Sequence, residues 1–358
     1  MRDTQNKIGY CQLSLGLLYE NSAEHEGNEE VYPNTNKEIS QAKNTNRYVV
    51  HEELLEAIVE DANIEKGYRY TIDLDLEKYF DTVNHSRLIQ ILSNTIKDGR
   101  VISLIHKYLN AGVIVKHKFE ETVKGVPQGG PLSPLLSNIY LNEFDREMEK
   151  RGNRFVRYAD DCVLMFKSER SALRVKETVT NYLENKLYVK VNQEKTTVAY
   201  ITKIKFLGFG FYIDKGGNAQ ITVHKKSKEK MKKRIREITK RNRAISSKQL
   251  AEELKLFIRG WVNYYRIAKM YSILKEIDGW MRRRIRMIYW KRWKLVKTRF
   301  RNLIRLGINK LDAWKWANTR KSYWHIANSF ILARTLTNDR LKQFGFINSL
   351  DYYKSINL

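Results

Sequence analysis

The sequence predicts an α+β sheet domain followed by an all-helical, strongly basic domain. Residues 68–224 alternate short β-branched or aromatic runs with amphipathic helical stretches. Charge is segregated along the chain. Ile221–Leu358 holds 36 of the 66 Lys and Arg but only 9 of the 40 Asp and Glu, so this part carries +27 and the remainder −1 of the formal +26. All seven tryptophans lie in the same basic part. A chain of 358 residues has room for two or three domains with cores of their own.

The first 46 residues are polar after Leu18, and the run Glu20–Glu30 has no period, which reads as loop or disorder, with a short helix over Gln12–Tyr19. Leu54, Leu55, Ile58 and Val59 fall at helical spacing within His51–Ala62. Tyr68, Tyr70 and Ile72–Leu76 form a strand that carries Asp73 and Asp75 at its end. Alternation puts both aspartates on one face, so period alone does not choose between them. Helices follow over Ser86–Ile96 and Val101–Leu109.

Lys124–Asn138 holds three of the four prolines, and Gly125, Gly129 and Gly130 allow close backbone approach to a ligand at the start of a helix that runs to Lys150. Val156–Met165 places two adjacent carboxylates, Asp160 and Asp161, between apolar runs, the pattern of a β-hairpin with the acidic pair at its turn. A helix over Ser171–Leu187, a strand over Val198–Ile201 and a hairpin built from Lys205–Ile213 and Ala219–His224 complete the sheet domain.

The basic part reads as helices over Ser227–Ile245 and Gln249–Met270, the second capped by Ser247, then one long helix over Ile273–Leu306 and shorter ones to Tyr353. The tryptophans of the long helix read as core anchors rather than base-stacking surfaces. Arg282, Arg283, Arg284, Arg286, Lys291 and Arg292 are the nucleic-acid candidates.

Composition excludes several classes. No apolar run is long enough to span a bilayer, and the N-terminus has no basic-then-apolar leader, so a cytoplasmic protein without a membrane partner is expected. Two cysteines and seven scattered histidines leave no disulfide framework and no zinc spacing. A basic domain of this charge calls for a polyanionic partner, since each neutralised phosphate releases counterions. Adjacent carboxylates repel unless a cation compensates them, and hard oxygen ligands suit Mg²⁺.

Six stretches in this order resemble a bacterial group II intron-encoded protein, a reverse transcriptase and splicing maturase. They are Asp75-Leu-Glu-Lys-Tyr-Phe-Asp81, Gly125-Val-Pro-Gln-Gly-Gly-Pro-Leu-Ser-Pro134, Tyr158-Ala-Asp-Asp161, Asn192-Gln-Glu-Lys-Thr196, Phe206-Leu-Gly-Phe209 and Gly260-Trp-Val-Asn-Tyr-Tyr265. The resemblance implies a remnant N-terminal segment over 1–66, a right-hand polymerase palm over 67–224, and a helical thumb or maturase domain with a basic extension over 225–358. It implies that Asp75, Asp160 and Asp161, helped by the Leu76 carbonyl, hold two Mg²⁺ ions, and so prefers Asp75 to Asp73. It implies that Phe80, Gln128, Gly129 and Tyr158 meet the nucleotide, with Phe80 as a gate against a ribose 2′-hydroxyl. Lys195 then serves the pyrophosphate leaving group, and Phe206, Leu207, Gly208 and Phe209 form a primer grip. The implied partners are intron RNA, an RNA template with a DNA primer, and deoxynucleoside triphosphates. The alternative is a catalytically silent copy that only binds intron RNA. Against the family pattern, most of the fingers are expected to be missing through an internal deletion near Asp61–Gly67, and no endonuclease is expected.

Overall fold

A computed structural model describes residues 46–115, 118–120, 122–127 and 130–357. The Gln12–Tyr19 helix expectation, Gln128 and Gly129 lie outside these. The described chain divides into two compact units on either side of the Ile221–Thr222 bond.

The first unit is a mixed α+β body. Its centre is an antiparallel sheet of β1 (Tyr70–Leu74), β4 (Arg154–Tyr158), β5 (Asp161–Phe166) and β6 (Thr197–Tyr200), in the order β4-β5-β1-β6. β1 runs antiparallel to both neighbours, with Ile72 opposite Leu164 and Val198. Side chains alternate across such a sheet. On one face Ile72, Leu74, Cys162, Leu164 and Phe166 join a core with α3 (His85–Thr95), α5 (Ser133–Lys150) and α6 (Glu169–Lys186). Fully burying one Leu or Phe here stabilises by roughly 1.5–3 kcal/mol. The other face carries Thr71, Asp73 and Val163. α1 (Asn46–Ala62) packs against β4 and buries Leu54, Leu55, Ile58 and Ala62. Asn63 and Arg69 tie its end to Ala219 and Gly217.

Short elements fill the connections: α2 (Tyr79–Thr82), α4 (Gly99–Leu109) and the hairpin β2 (Val113–Val115) with β3 (Lys118–Glu120). That small hairpin was not expected, because a three-residue strand gives no period to read. The last hairpin is β7 (Phe209–Ile213) with β8 (Ala219–Val223), and β7 starts four residues later than the sequence suggests.

The second unit is helical: α7 (Lys225–Ile238), α8 (Ser247–Tyr264), α9 (Tyr271–Arg292), α10 (Val296–Arg305), α11 (Lys310–Ala317), α12 (Tyr323–Ala327), α13 (Phe330–Thr335), α14 (Asn338–Gln343) and α15 (Ser349–Ile356). The cap of α8 is Ser246, whose side chain accepts from the Gln249 amide, one residue earlier than expected. The expected long helix is two helices, broken at Trp293–Leu295. No Gly or Pro marks the break. Arg299 makes it instead: its guanidinium stacks on Trp290 at 4.7 Å and donates to the Trp293 carbonyl at 3.0 Å. No described helix is long and apolar enough to cross a membrane.

Candidate active site

The acidic cluster is assembled by sheet register. Leu74 pairs with Cys162 and Tyr158 pairs with Asp161. One further step along the β1–β5 ladder sets Asp75 opposite Asp161, and Asp160 occupies the two-residue turn between β4 and β5. Asp73, opposite Val163, shares this face. Four carboxylates therefore sit in one field. Burial, then Asp161 and Asp75, pushes Asp73 up to about 6, while Lys205 opposes the rise. Burial of its carboxylate, then Asp160 and Asp75, raises Asp161, although that residue as a whole remains open to solvent. Such mutual repulsion is what a bound cation relieves. As placed, no three His, Cys, Asp or Glu side chains among the described residues form a ready metal cage. The donor set still fits a hard divalent cation, because it is all oxygen and burial holds the Asp161 carboxylate in the charged form only at a cost.

The turn itself is strained and braced. Ala159 has φ 55, a left-handed conformation that costs a side-chain-bearing residue roughly 1–2 kcal/mol. Two-residue hairpin loops require positive φ at their first position. Arg157 holds it there. On the helix-covered face of β4 its guanidinium binds Asp145 of α5 through two bonds of 2.7 and 2.5 Å, donates to Asn138 at 3.0 Å, and donates to the Ala159 carbonyl at 2.7 Å. Both partners of the pair are almost fully buried. Sequence reasoning missed Arg157 and Asp145. The signal was an Arg alternating into a core position directly before the acidic turn.

Asp75 is fixed from its other side by the Asn192–Thr196 loop. The Asp75 amide donates to Thr196 Oγ1 at 3.1 Å, and the Asn192 amide donates to the Asp75 carbonyl at 2.9 Å. Lys190 O accepts from the Glu77 amide at 2.8 Å, and Leu76 bridges Val191 between these bonds. Backbone groups alternate in direction along a strand, so the Leu76 carbonyl points away from Val191, toward the side where β5 lies. Lys195 sits with Nζ 3.5 Å from Asp75 Oδ1, largely exposed.

Phe80 is half-buried and packs edge-on against Tyr79 with ring centres 5.6 Å apart. Its carbonyl accepts from the Val126 amide at 2.7 Å. Gly125, at φ 90, is required at this crossing: a Cβ would lie 2.8 Å from Phe80 O and 2.9 Å from Asp81 backbone atoms. His85 pins the loop by donating from Nε2 to Gly125 O at 2.6 Å, with Asn110 on its other nitrogen. Tyr158 is half-buried beside the acidic turn. Phe206–Phe209 is a tight turn rather than a strand start. Phe206 and Phe209 exchange backbone bonds of 3.2 and 2.8 Å, and Leu207 and Gly208 at its tip have φ 50 and 86. Both phenylalanines are buried.

The six basic candidates of the second unit are all on α9, and five donate to groups within their own unit. Arg283 donates to Trp324 O and lies 3.9 Å from its ring centre. Arg284 donates to Thr239 Oγ1 and O, Arg286 to Leu336 O, Lys291 to Arg241 O, and Arg292 to Ser247 Oγ and Ile245 O. Arg282 lines a small cavity beside Asp278 and Met281. Carbonyl and hydroxyl acceptors satisfy these donors without cancelling their charge, so the field of the unit stays positive.

Residues 29–211 match the family described as reverse transcriptase (RNA-dependent DNA polymerase), just over half of the chain. Residues 228–307 match the group II intron maturase-specific domain. The chain is 32% identical over 167 residues to Protein YkfC of Escherichia coli, covering 37% of this chain and 44% of that protein. It is 28% identical over 216 residues to the group II intron-encoded protein LtrA of Lactococcus lactis, covering 42% of this chain and 36% of that protein. It therefore spans less than half the length of these curated relatives. Among solved structures, apo telomerase from Candida tropicalis overlaps 93% of this chain and 60% of its own at 14% identity and a TM-score of 0.43.

Proposed function

The chain belongs to the reverse transcriptase family and carries a group II intron maturase domain behind it, and from that membership we propose that it copies RNA into DNA and assists the splicing of its intron. The observation that carries the reading is the junction of β1 with the β4–β5 turn, where Asp75, Asp160 and Asp161 meet in one acidic field. A divalent cation, which we take to be Mg²⁺, would be held by these three carboxylates with the Leu76 carbonyl. It would stabilise charge on the attacking and leaving oxygens of an in-line phosphoryl transfer.

The chain's own residues supply the rest. Arg157 fixes the backbone of the turn that carries Asp160, and Thr196 fixes the backbone of Asp75, so little reorganisation is left for the moment of reaction. Phe80, locked to the Gly125 loop, is the wall against a ribose 2′-hydroxyl, and Gln128 and Gly129, from their place in the motif, meet the base of a deoxynucleoside triphosphate. Tyr158 lines the same side. Lys195, on an exposed side chain beside Asp75, meets the pyrophosphate and holds its charge. The Phe206–Phe209 turn grips the DNA primer. The basic second unit, with Arg282–Arg284, Arg286, Lys291 and Arg292 setting its field, receives intron RNA and template.

The test is Mg²⁺-dependent extension of a DNA primer on an RNA template, with Asp161→Asn beside the parent. The parent should extend and the variant should lose at least ~100-fold. A folded parent that binds intron RNA but does not extend would sink the polymerase reading and leave a catalytically silent maturase.

A further inference from the structure

The tryptophans of the basic unit do not share one environment. Trp290 is fully buried, and Trp293 and Trp316 are nearly so. Trp280 is flanked by Arg236 and Arg284, and the face of Trp324 is taken by Arg283. Trp314 differs. It is 61% exposed, its one ring contact among the described residues is an edge-on approach to Phe300 at 6.0 Å, and no described cation covers it.

The surroundings of Trp314 are built by a helical hairpin. Gly307, at φ 82, ends α10, and Asn309 caps α11 by accepting from the Asp312 amide. The two helices pack together. Leu311, 85% exposed, is Trp314's neighbour three residues back, and Ile304 is exposed four residues after Phe300. Arg301 follows Phe300 and Arg305 follows Ile304 on α10, while Lys310 stands one turn before Trp314 and Lys315 follows it on α11; all four are exposed and form no ion pair among the described residues. Residues 294–321 contain nine Lys or Arg and a single acid, Asp312, whose carboxylate is engaged by Asn309. The maturase-domain match stops at 307, so α11 lies beyond both matched regions.

An exposed flat aromatic on a hairpin whose exposed cations have no described ion pair is suited to one kind of partner. The cations track a phosphate backbone, and the free indole face accepts an unstacked base. A fully paired duplex offers its phosphates but hides its base faces. An apolar protein groove would leave four cations desolvated and unpaired. We propose that the outer surface of the α10–α11 hairpin is a stacking platform for an unpaired nucleic-acid strand, with Trp314 as the base-stacking residue and Arg301, Arg305, Lys310 and Lys315 as its phosphate rim. This rests on the reading of the chain as an RNA-handling protein, but not on polymerase activity.

The experiment measures binding of the full chain to a fluorescent oligouridylate of about 12 nucleotides, the matching oligodeoxythymidylate, and an RNA duplex of the same length. Trp314→Ala should weaken single-strand binding roughly ten-fold, Trp314→Tyr should restore it to within about two-fold, and duplex binding should stay within about two-fold. Lys310→Ala with Lys315→Ala should lower the salt slope by about 1–2. Loss on both strands supports the shared chemistry, and loss on RNA alone supports it with RNA as the source. Mass spectrometry of a 4-thiouridine cross-linked strand should find the Trp314 peptide. Parent-like single-strand binding by Trp314→Ala, an equal loss on the duplex, or a loss seen only on phosphatidylserine vesicles would overturn the platform. Primer extension measured in parallel separates the two readings. Extension with unaltered strand binding by Trp314→Ala removes the platform alone, and strand binding that depends on Trp314 without extension removes the polymerase alone.

Discussion

Replacing Arg157 by methionine should unlock the acidic turn, and the cost follows from burial. Arg157 and Asp145 expose only 3% and 2% of their side chains and are joined by two short bonds. Removing the guanidinium takes two charge-assisted bonds from a buried carboxylate, which costs roughly 3–5 kcal/mol. All seven tryptophans lie beyond residue 221, so their fluorescence reports only the second unit. The right assay is amide exchange of β5 peptides by mass spectrometry. A loss of about 3 kcal/mol speeds exchange through global opening of the first unit by about a hundred-fold. A second variant, Arg157→Met with Asp145→Leu, removes both charges and should recover most of the β5 protection, because an apolar pair of similar volume replaces a buried ion pair at little cost. Primer extension should remain at least ~10-fold down in that double variant, since the Ala159 carbonyl and Asn138 still lack their donor. Parent-like β5 exchange in Arg157→Met would refute the buried-pair argument. Recovery of both protection and extension in the double variant would refute the claim that the guanidinium positions the turn.

Three further perturbations probe the neighbouring anchors. Thr196→Val removes the acceptor of the Asp75 amide and should cost ~1–3 kcal/mol in the first unit, with about a ten-fold lower extension rate; a rate equal to the parent's would show that the loop does not position Asp75. Gly125→Ala drives a Cβ into the Phe80 and Asp81 backbone at φ 90, so the KM for deoxynucleotide should rise at least ~10-fold in steady-state kinetics. Asp73 is charged in both folded and unfolded chains above pH ~6, where its crowding costs the folded state most. As pH falls from about 6 toward the ordinary value of 3.8 the folded form takes the proton first, and the cost, at most ~3 kcal/mol, disappears. Relative to the parent, Asp73→Asn should therefore protect β1 amides more strongly at pH 7.5 and show no gain on acidification to pH ~5. Parallel pH curves for the two proteins would refute the assignment.

The sheet and the acidic centre were legible because they are written in short-range signals. Strand period placed β1, β4 and β5 within two or three residues, but the turn expected at the acidic pair Asp160–Asp161 falls one residue earlier, at Ala159–Asp160, with Asp161 opening β5 opposite Tyr158. Which aspartate matters was not legible from period. The register answers that Asp73 and Asp75 share a face and a field, so the choice the sequence posed between them is not exclusive.

What the sequence hid has a common physical form: a long side chain satisfying a carbonyl from another element. Arg299 breaks the expected long helix by holding the Trp293 carbonyl, Arg157 fixes the turn through the Ala159 carbonyl, and Arg284, Arg286 and Arg292 hold carbonyls near the ends of neighbouring helices. None of these bonds has a sequence period, because the acceptor is backbone and any residue supplies it. The same fact bears on how the basic unit functions. An arginine bonded to a carbonyl is fixed in direction yet keeps its full charge, whereas one bonded to a carboxylate, such as Arg243 with Glu253, is fixed and neutralised. Arg283, Arg284, Arg286 and Arg292 of α9 are of the first kind. They give the unit a rigid positive field, and direct contact falls to side chains with free ends, such as Lys310 and Lys315 beside Trp314. Neutralising the field by Arg284→Gln and Arg292→Gln should therefore slow association and flatten salt dependence, while Trp314→Ala should act on dissociation. Stopped-flow binding of the oligouridylate separates the two rates, and a Trp314→Ala effect confined to association would contradict this division of roles.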